Sequence, residues 1–307
     1  MAQQLFDAQA ALGFVTSQTT HVEREVNETV YPEIQYPSLI PVDTSAHPFA
    51  KSVTYYSSDK HGQAKFINGN SDDIPLAGTD MQKHETAVHM AGIGYGYGYE
   101  EINQAQMLGI NLTAQDAMAA RRAYEEMVDR VALSGDASKG FSGMINHANV
   151  SAATAINGDW ANASDQEILE DVNEALLGVS QDTQYTAMAD TYLTSPAKLN
   201  LLATRRLGDT NMTLLEFLRR NNTYTAMTGQ PLMIRAVRGL ETAGAGGIER
   251  TVAYRRSSDV LKLHIPMPHR FLPVYQDGPL NWVVPGIFRL GGLDVRRPKE
   301  VRYSDGV

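Results

Sequence analysis

The sequence contains no cysteine, which excludes disulfides, thiolate metal sites and cysteine nucleophiles. It has no apolar run approaching the ~18 residues that suggest a membrane-spanning helix. Its first residues, Met1-Ala2-Gln3-Gln4-Leu5, lack the basic region and apolar core of a secretion signal, so no membrane partner is expected. The phosphate loop G-x-x-x-x-G-K-[ST] is missing. So is the dinucleotide loop G-x-G-x-x-G, because Tyr97, Tyr99 and Glu101 occupy the third-glycine positions in the three frames that Gly92–Gly98 offers. His84 and His89 are five residues apart rather than four. On a helix they would diverge by ~140°, and on a strand they would face opposite sides. In Gly140-Phe141-Ser142-Gly143 the second glycine comes one residue early for a nucleophile elbow. Other histidines, among them His264 and His269, sit singly among apolar residues or prolines, and acidic pairs such as Asp72-Asp73 and Glu100-Glu101 read as solvated surface. No catalytic residue, cofactor site or metal site is therefore named, although a site assembled from distant residues would escape such a search.

Charge of one sign is also scarce in places. The chain of 307 residues carries a net −9. Residues 1–110 hold 13 acidic and 5 basic side chains, residues 111–200 hold 13 and 5, and residues 201–307 hold 9 and 16. An acidic chain is a poor general binder of nucleic acid, since phosphate affinity comes from dense Lys and Arg. The basic last third can still meet an acidic partner. Its candidate acceptors are four adjacent pairs, Arg205-Arg206, Arg219-Arg220, Arg255-Arg256 and Arg296-Arg297, and one member of each is expected to face outward. With 43% hydrophobic and 20% charged residues, the composition is that of a folded chain with room for two lobes.

The most informative stretch runs from Glu85 to Gly143. Ala117, Ala120, Tyr124, Met127/Val128 and Val131 recur at helical spacing, with Thr113 and Asp116 resembling a capping box and Gly135 placed to stop the helix. Arg121, Arg122, Glu125, Glu126, Asp129 and Arg130 fill the opposite face, which reads as solvated. Upstream, Glu85–Tyr99 reads as one strand of period two. Gly92, Gly94, Gly96 and Gly98 form a flat face on it, and Ile93, Tyr95, Tyr97 and Tyr99 an aromatic one. Glycines in a row on one face imply close approach of another backbone or a bend.

Residues 1–50 show little periodicity beyond a short helix around Ala8–Phe14. Val30-Tyr31-Pro32, Tyr36-Pro37 and Ile40-Pro41 keep the chain extended, so this segment is either a tail or an arm that docks on something else. Residues 51–84 read as a hairpin, with Val53–Tyr56 as one strand, Asp59–Gly62 as the turn, Ala64–Ile67 as the return and Asn68–Asp73 as a second turn. After Val150 the pattern becomes α/β. Helices open at Ser164, Ser195-Pro196 and Thr213, and strands run over Tyr192–Thr194, Leu232–Val237, Thr251–Arg255 and Val260–Ile265. Trp282–Val284 and Phe288–Leu290 are expected to return to the first lobe.

A Tyr/Gly-rich strand entering "YEEINQAQ", the helix "AMAARRAYEEMVDRVALSGD" and then "KGFSGMINHANV" closely resemble an encapsulin-like family of tailed-phage major capsid proteins. That resemblance implies the α+β Hong Kong 97-type capsid fold. It implies an N-terminal arm (1–50), an extended loop (51–90), a peripheral domain with a spine helix (91–150 and 272–307) and an axial domain (151–271). It further implies self-assembly into pentamers and hexamers of an icosahedral virion shell, formed in the host cytoplasm, around double-stranded DNA held by weak non-specific contact. Portal, scaffolding or decoration proteins are further partners, with no cofactor and no catalysis. The short stretch before the loop implies that any scaffold is a separate protein, and no motif marks Lys60 or Lys65 for crosslinking. A bacterial encapsulin shell is the alternative, and an α+β enzyme with an unrecognised site the third reading.

Overall fold

The computed structural model describes residues 31–66, 74–108 and 112–307. Tyr36–Leu39 forms a one-turn helix, α1, and Val42–Asp43 a short strand, β1, running parallel to residues 263–264. Tyr36, Leu39 and Ile40 are buried in one cluster with Tyr124, Val128 and Val131. For these residues this corrects the expectation of a tail or an arm that docks on something else: they pack into the chain's own core. Tyr36-Pro37 is not extended as expected: it opens α1, where the proline's missing N–H has no helical partner to lose, while Ile40-Pro41 stays extended and carries the segment on across the core. Tyr31 stays exposed. The helix expected over Ala8–Phe14 lies outside the described residues.

Strands β2 (Ser52–His61) and β3 (Gly78–Ala87) form the hairpin, paired without a break from Ser52↔Ala87 to His61↔Gly78. Asp59, Lys60 and His61 therefore continue a strand instead of turning, and the return is 78–87 rather than 64–67. The local turn preference of Asp59–Gly62 loses to a ten-residue ladder that pairs the facing backbone groups of both strands. The expected second turn, Asn68–Asp73, lies outside the described residues.

Glu85–Tyr99 is not one strand. Its start belongs to β3, and then come β4 (His89–Gly92) and β5 (Tyr95–Gly98), which lie in two further sheets. Both run antiparallel to residues 281–290, with Ile287↔Gly92 and Val284↔Tyr95 in the same register. The break falls at Gly94, opposite Pro285, which has no N–H to donate to a ladder. The flat face does meet backbone. A Cβ on Gly94 would lie 2.3 Å from the Val284 carbonyl oxygen, one on Gly92 2.7 Å from that of Gly286, and one on Gly96 3.2 Å from that of Trp282. Gly98 has no such neighbour within 3.6 Å. On the aromatic face Tyr95 meets Phe271 edge-on and Tyr97 stacks on Trp282.

Helix α2 spans Tyr99–Leu108 and the long helix α3 spans Leu112–Ser134. Thr113 lies inside the first turn of α3 and not at its cap. Ala120, Tyr124, Val128 and Val131 are the buried stripe, and Gly135, at φ 76°, ends the helix in the left-handed region. A tight pair follows, β6 (Gly135–Asp136) and β7 (Phe141–Ser142), then β8 (Ser151–Thr154). Helix α4 (Asp165–Asp182) starts at a complete Ser164/Glu167 capping box. After β9 (Thr191–Thr194) come α5 (Pro196–Thr204), α6 (Leu214–Arg220) and α7 (Thr223–Thr228), capped by Ser195, Thr213 and Asn222. The remaining strands are β10 (Met233–Ala236), β11 (Arg250–Tyr254), β12 (Leu261–His264), β13 (Met267–Phe271), β14 (Tyr275–Gln276), β15 (Asn281–Val284), β16 (Gly286–Leu290), β17 (Gly292–Val295) and β18 (Val301–Asp305).

A five-stranded sheet of order β10-β9-β11-β18-β8 separates two cores. Alternation along each strand feeds both. Val252 and Tyr254 of β11, with Val301 and Tyr303 of β18, join the cluster around α3, whereas Ala253 and Tyr192 join the cluster around α4. β15 and β16 pair with β5 and β4. The final strand, β18, lies between β11 and β8 in the five-stranded sheet, away from those two.

Candidate assembly surfaces

The hairpin is the least covered element. Along β2 and β3 most residues are exposed, and the face that carries Val53, Tyr55, His84 and Thr86 is partly covered near the base. On the ladder Tyr56 is 65% exposed and Met81 68%, and in the irregular stretch leading into β3 Ile74 is 62% exposed and Leu76 87%. A two-stranded hairpin is marginal by itself, so apolar side chains of this size on a bare ladder mark a surface that another molecule covers.

The charged face of α3, read as solvated, is partly a seat for the N-terminal segment. Asp129 is 6% exposed. Its Oδ1 accepts the N–H groups of Gln35 at 2.9 Å and Tyr36 at 2.8 Å, so a carboxylate on α3 caps the first turn of α1. Tyr36 donates its hydroxyl to Glu125 at 2.8 Å. Arg122 donates to the Pro32 carbonyl and lies over the Tyr31 ring, while Arg238 donates to the Glu33 carbonyl. The sequence signal for this seat is weak, since Asp129 sits in an ordinary alternation of charges.

Each arginine pair does present an exposed member: Arg206, Arg219 with Arg220, Arg256 and Arg297. Most of the positive charge is nevertheless answered within the chain. Arg205 pairs with Asp165 at 2.6 Å, Arg220 with Glu216, Arg255 and Arg297 with Glu300, and Arg296 with Asp294. Arg256 donates to the Pro37 carbonyl. Among the described residues only Arg206 and Arg219 of the eight have no such partner.

Buried charges are satisfied: Asp171 accepts the Trp160 indole N–H and the backbone N–H groups of Asn157 and Gly158, and others are ion-paired. Arg250 grips Asp305 through Nε–Oδ1 at 2.6 Å and Nη2–Oδ2 at 2.8 Å, and its guanidinium lies over Tyr303. Burial pushes the Asp305 carboxyl up, but the Arg250 contacts and the Ala245 N–H outweigh it and hold the group below the usual carboxylate range. Asp294 behaves alike: burial raises it, and hydrogen bonds from His264 and Arg296 more than reverse this.

Nothing catalytic is assembled from the motifs that first draw the eye. His84 lies on the hairpin against Ser57 and Tyr55, and His89 lies in a different sheet, edge-on to Phe141. Among the described residues no group of three or more His, Asp or Glu side chains could hold a metal ion. No helix among them is long and apolar enough to cross a membrane.

The comparisons with known proteins agree with this picture of an assembling subunit. A family model described as major capsid protein matches residues 62–307, about four fifths of the chain. The capsid of Myoviridae phage XM1 is similar in structure with a TM-score of 0.81 at 18% identity, covering 100% of both chains. The capsid of a native GTA particle gives 0.67 at 12% identity, over 98% of this chain and 99% of that one. Microbacterium phage Oxtober96 gives 0.61 at 13%, over 97% and 98%. No curated sequence matches, so the likeness to solved structures is one of fold. With its long helix, bare hairpin and two-sided sheet, the chain has the Hong Kong 97-type capsid fold and belongs to the major capsid protein family.

Proposed function

We propose that this chain is the shell-forming subunit of a tailed bacteriophage, and that copies of it assemble into an icosahedral capsid enclosing double-stranded DNA. The observation that carries the reading is the hairpin, whose apolar side chains its own subunit leaves bare. Its mechanism is assembly rather than catalysis. Each incoming subunit makes several contacts at once, so weak individual contacts add up to a stable shell. In this reading the hairpin strands, β2 and β3, reach a neighbouring subunit. The region around α3, with β4, β5, β15 and β16, is the peripheral domain, and the five-stranded sheet with α4–α7 is the axial domain. The family match is to viral capsid proteins, which favours a phage shell over an encapsulin. Terminase and portal genes beside this one support the phage, and a cargo-enzyme gene supports the encapsulin. Contacts with portal, scaffolding or decoration proteins and with packaged DNA belong to the same proposal. The experiment is a paired substitution, Ile74→Asp with Leu76→Asp. The variant is expected to keep the melting temperature of the unassembled subunit and to stop forming particles. Particles forming as in the unsubstituted chain would overturn the role given to the hairpin.

A further inference from the structure

Where the hairpin joins the body, a line of polar side chains runs through otherwise apolar surroundings. Asp43 of β1 sits beside His264 of β12 in the parallel pair. The His264 side chain is 1% exposed, with Nδ1 3.6 Å from Asp43 Oδ2 and Nε2 3.5 Å from Asp294 Oδ2. Lys262 Nζ approaches the same Asp43 oxygen at 3.6 Å, and Arg296 Nε donates to Asp294 Oδ2 at 3.1 Å. The guanidinium of Arg296 then lies over the Tyr55 ring, 4.6 Å from its centroid. Tyr55 belongs to β2 and stacks on His84 of β3 at 4.7 Å and 15°, and His84 Nε2 meets Ser57 Oγ at 2.8 Å. One chain of contacts thus joins the N-terminal segment, two body strands and both strands of the hairpin.

Beyond this point the hairpin parts from the body. A cleft of about 630 Å³ opens, with Ser57 and Asp59 on one wall and Asp182, Thr183, Arg297 and Lys299 on the other. An element gripped at its base and separated from the body by a cleft turns about the grip. A guanidinium over a ring constrains orientation as well as distance, and Arg296 is itself fixed by a carboxylate. We propose that Arg296 and Tyr55 form the pivot that sets the angle of the hairpin, and that Asp294, His264 and Asp43 hold this pivot in register with the N-terminal segment. Arg296 and Tyr55 are then positioning residues for assembly, which rests on the shell-forming role given to the chain above.

The test has two readouts in Arg296→Ala, Tyr55→Leu and Tyr55→Phe. Amide hydrogen exchange on the unassembled subunit is expected to quicken at least tenfold across residues 52–61 and 78–87 in Arg296→Ala and Tyr55→Leu, with α3 unchanged. Tyr55→Phe keeps the ring face and is expected to exchange like the unsubstituted chain. Particle formation, followed by light scattering, is expected to slow in the first two and recover in the third. Arg296→Ala uncovers Asp294, so a global loss of structure there leaves Tyr55→Leu, which spares that carboxylate, to decide. Hairpin exchange unchanged in Tyr55→Leu, or quickened equally in Tyr55→Phe, would overturn the pivot. A chain that never assembles, yet shows the expected exchange pattern, would refute the shell and leave the pivot standing.

Discussion

At the scale of single residues, the account rests on side chains, and absences of side chains, that local pattern alone does not explain. Gly94 is required because a Cβ there would lie 2.3 Å from the Val284 oxygen and 2.8 Å from Pro285 Cα. Both are backbone atoms that cannot swing away. Gly94→Ala is expected to cost about 1–3 kcal/mol or more, the range of overpacking, whereas Gly98→Ala, with nothing closer than 3.6 Å, should leave the melting temperature nearly unchanged. Equal melting temperatures for the two variants would remove the close-approach argument.

The buried ionisable groups fix the sign of the pH dependence. Burial holds the His147 ring below its ordinary value of 6.5, with Asp294 opposing. The folded chain therefore binds fewer protons there than the unfolded chain, and stability falls as the pH drops below about 6.5. Asp43, Asp294 and Asp305 are held below their ordinary 3.8. Their contribution is present above that value and is lost as the pH falls through the lowered folded values. Denaturant titrations from neutral to acid pH should show stability falling in two steps, one as the pH drops below about 6.5 and one below about 3.8, with Asp116, raised by burial and Glu101, opposing in part. Asp305→Ala should cost about 3–5 kcal/mol at neutral pH, because it leaves Arg250 buried without its partner, and should shrink the lower acid step. A stability that rose on acidification would contradict these assignments.

At the scale of elements, what was legible was what is decided locally. The helix starts at Ser164, Ser195 and Thr213 were readable because a cap and its amide lie within one turn. The stripe Ala120–Val131 was readable because one face of α3 is buried along its length. The strands were harder. Turn chemistry at Asp59–Gly62 was outvoted by pairing with residues 78–80, and one apparent strand over 85–99 was cut by a proline nearly 200 residues away. β18 carried a readable alternation, with Val301 and Tyr303 facing one core, but nothing local says that it inserts beside β11. Of the assembly surface, the hairpin's existence was legible and its full length was not. The seat for residues 31–40 was hidden, since Asp129 resembles any surface acid until Gln35 and Tyr36 arrive to bond it. That seat decides what truncation does. A truncation that begins at Tyr31 keeps every residue of this seat and is the reference. Removing 1–40 takes away Tyr36, Leu39 and Ile40, all buried, at about 2–5 kcal/mol for each large aliphatic side chain lost. Thermal unfolding of the two truncations checks this, and equal stabilities would show that the segment is not part of the core.

At the scale of the whole molecule, the subunit combines a self-sufficient body with a part that is not self-sufficient. Two cores on either side of one sheet account for the body's stability without help from neighbours. The uneven charge of the sequence is largely settled inside that body, by pairs such as Arg205–Asp165 and Arg255–Glu300. Exposed ion pairs contribute only about 0–1 kcal/mol each. The burden of holding copies together therefore falls on apolar contacts, and the bare hairpin offers them. Electron microscopy of the purified full-length chain tests this most directly. Closed, hollow particles of uniform diameter are the expected result, and a preparation that stays folded yet contains only single subunits across protein concentrations and salt would contradict the account.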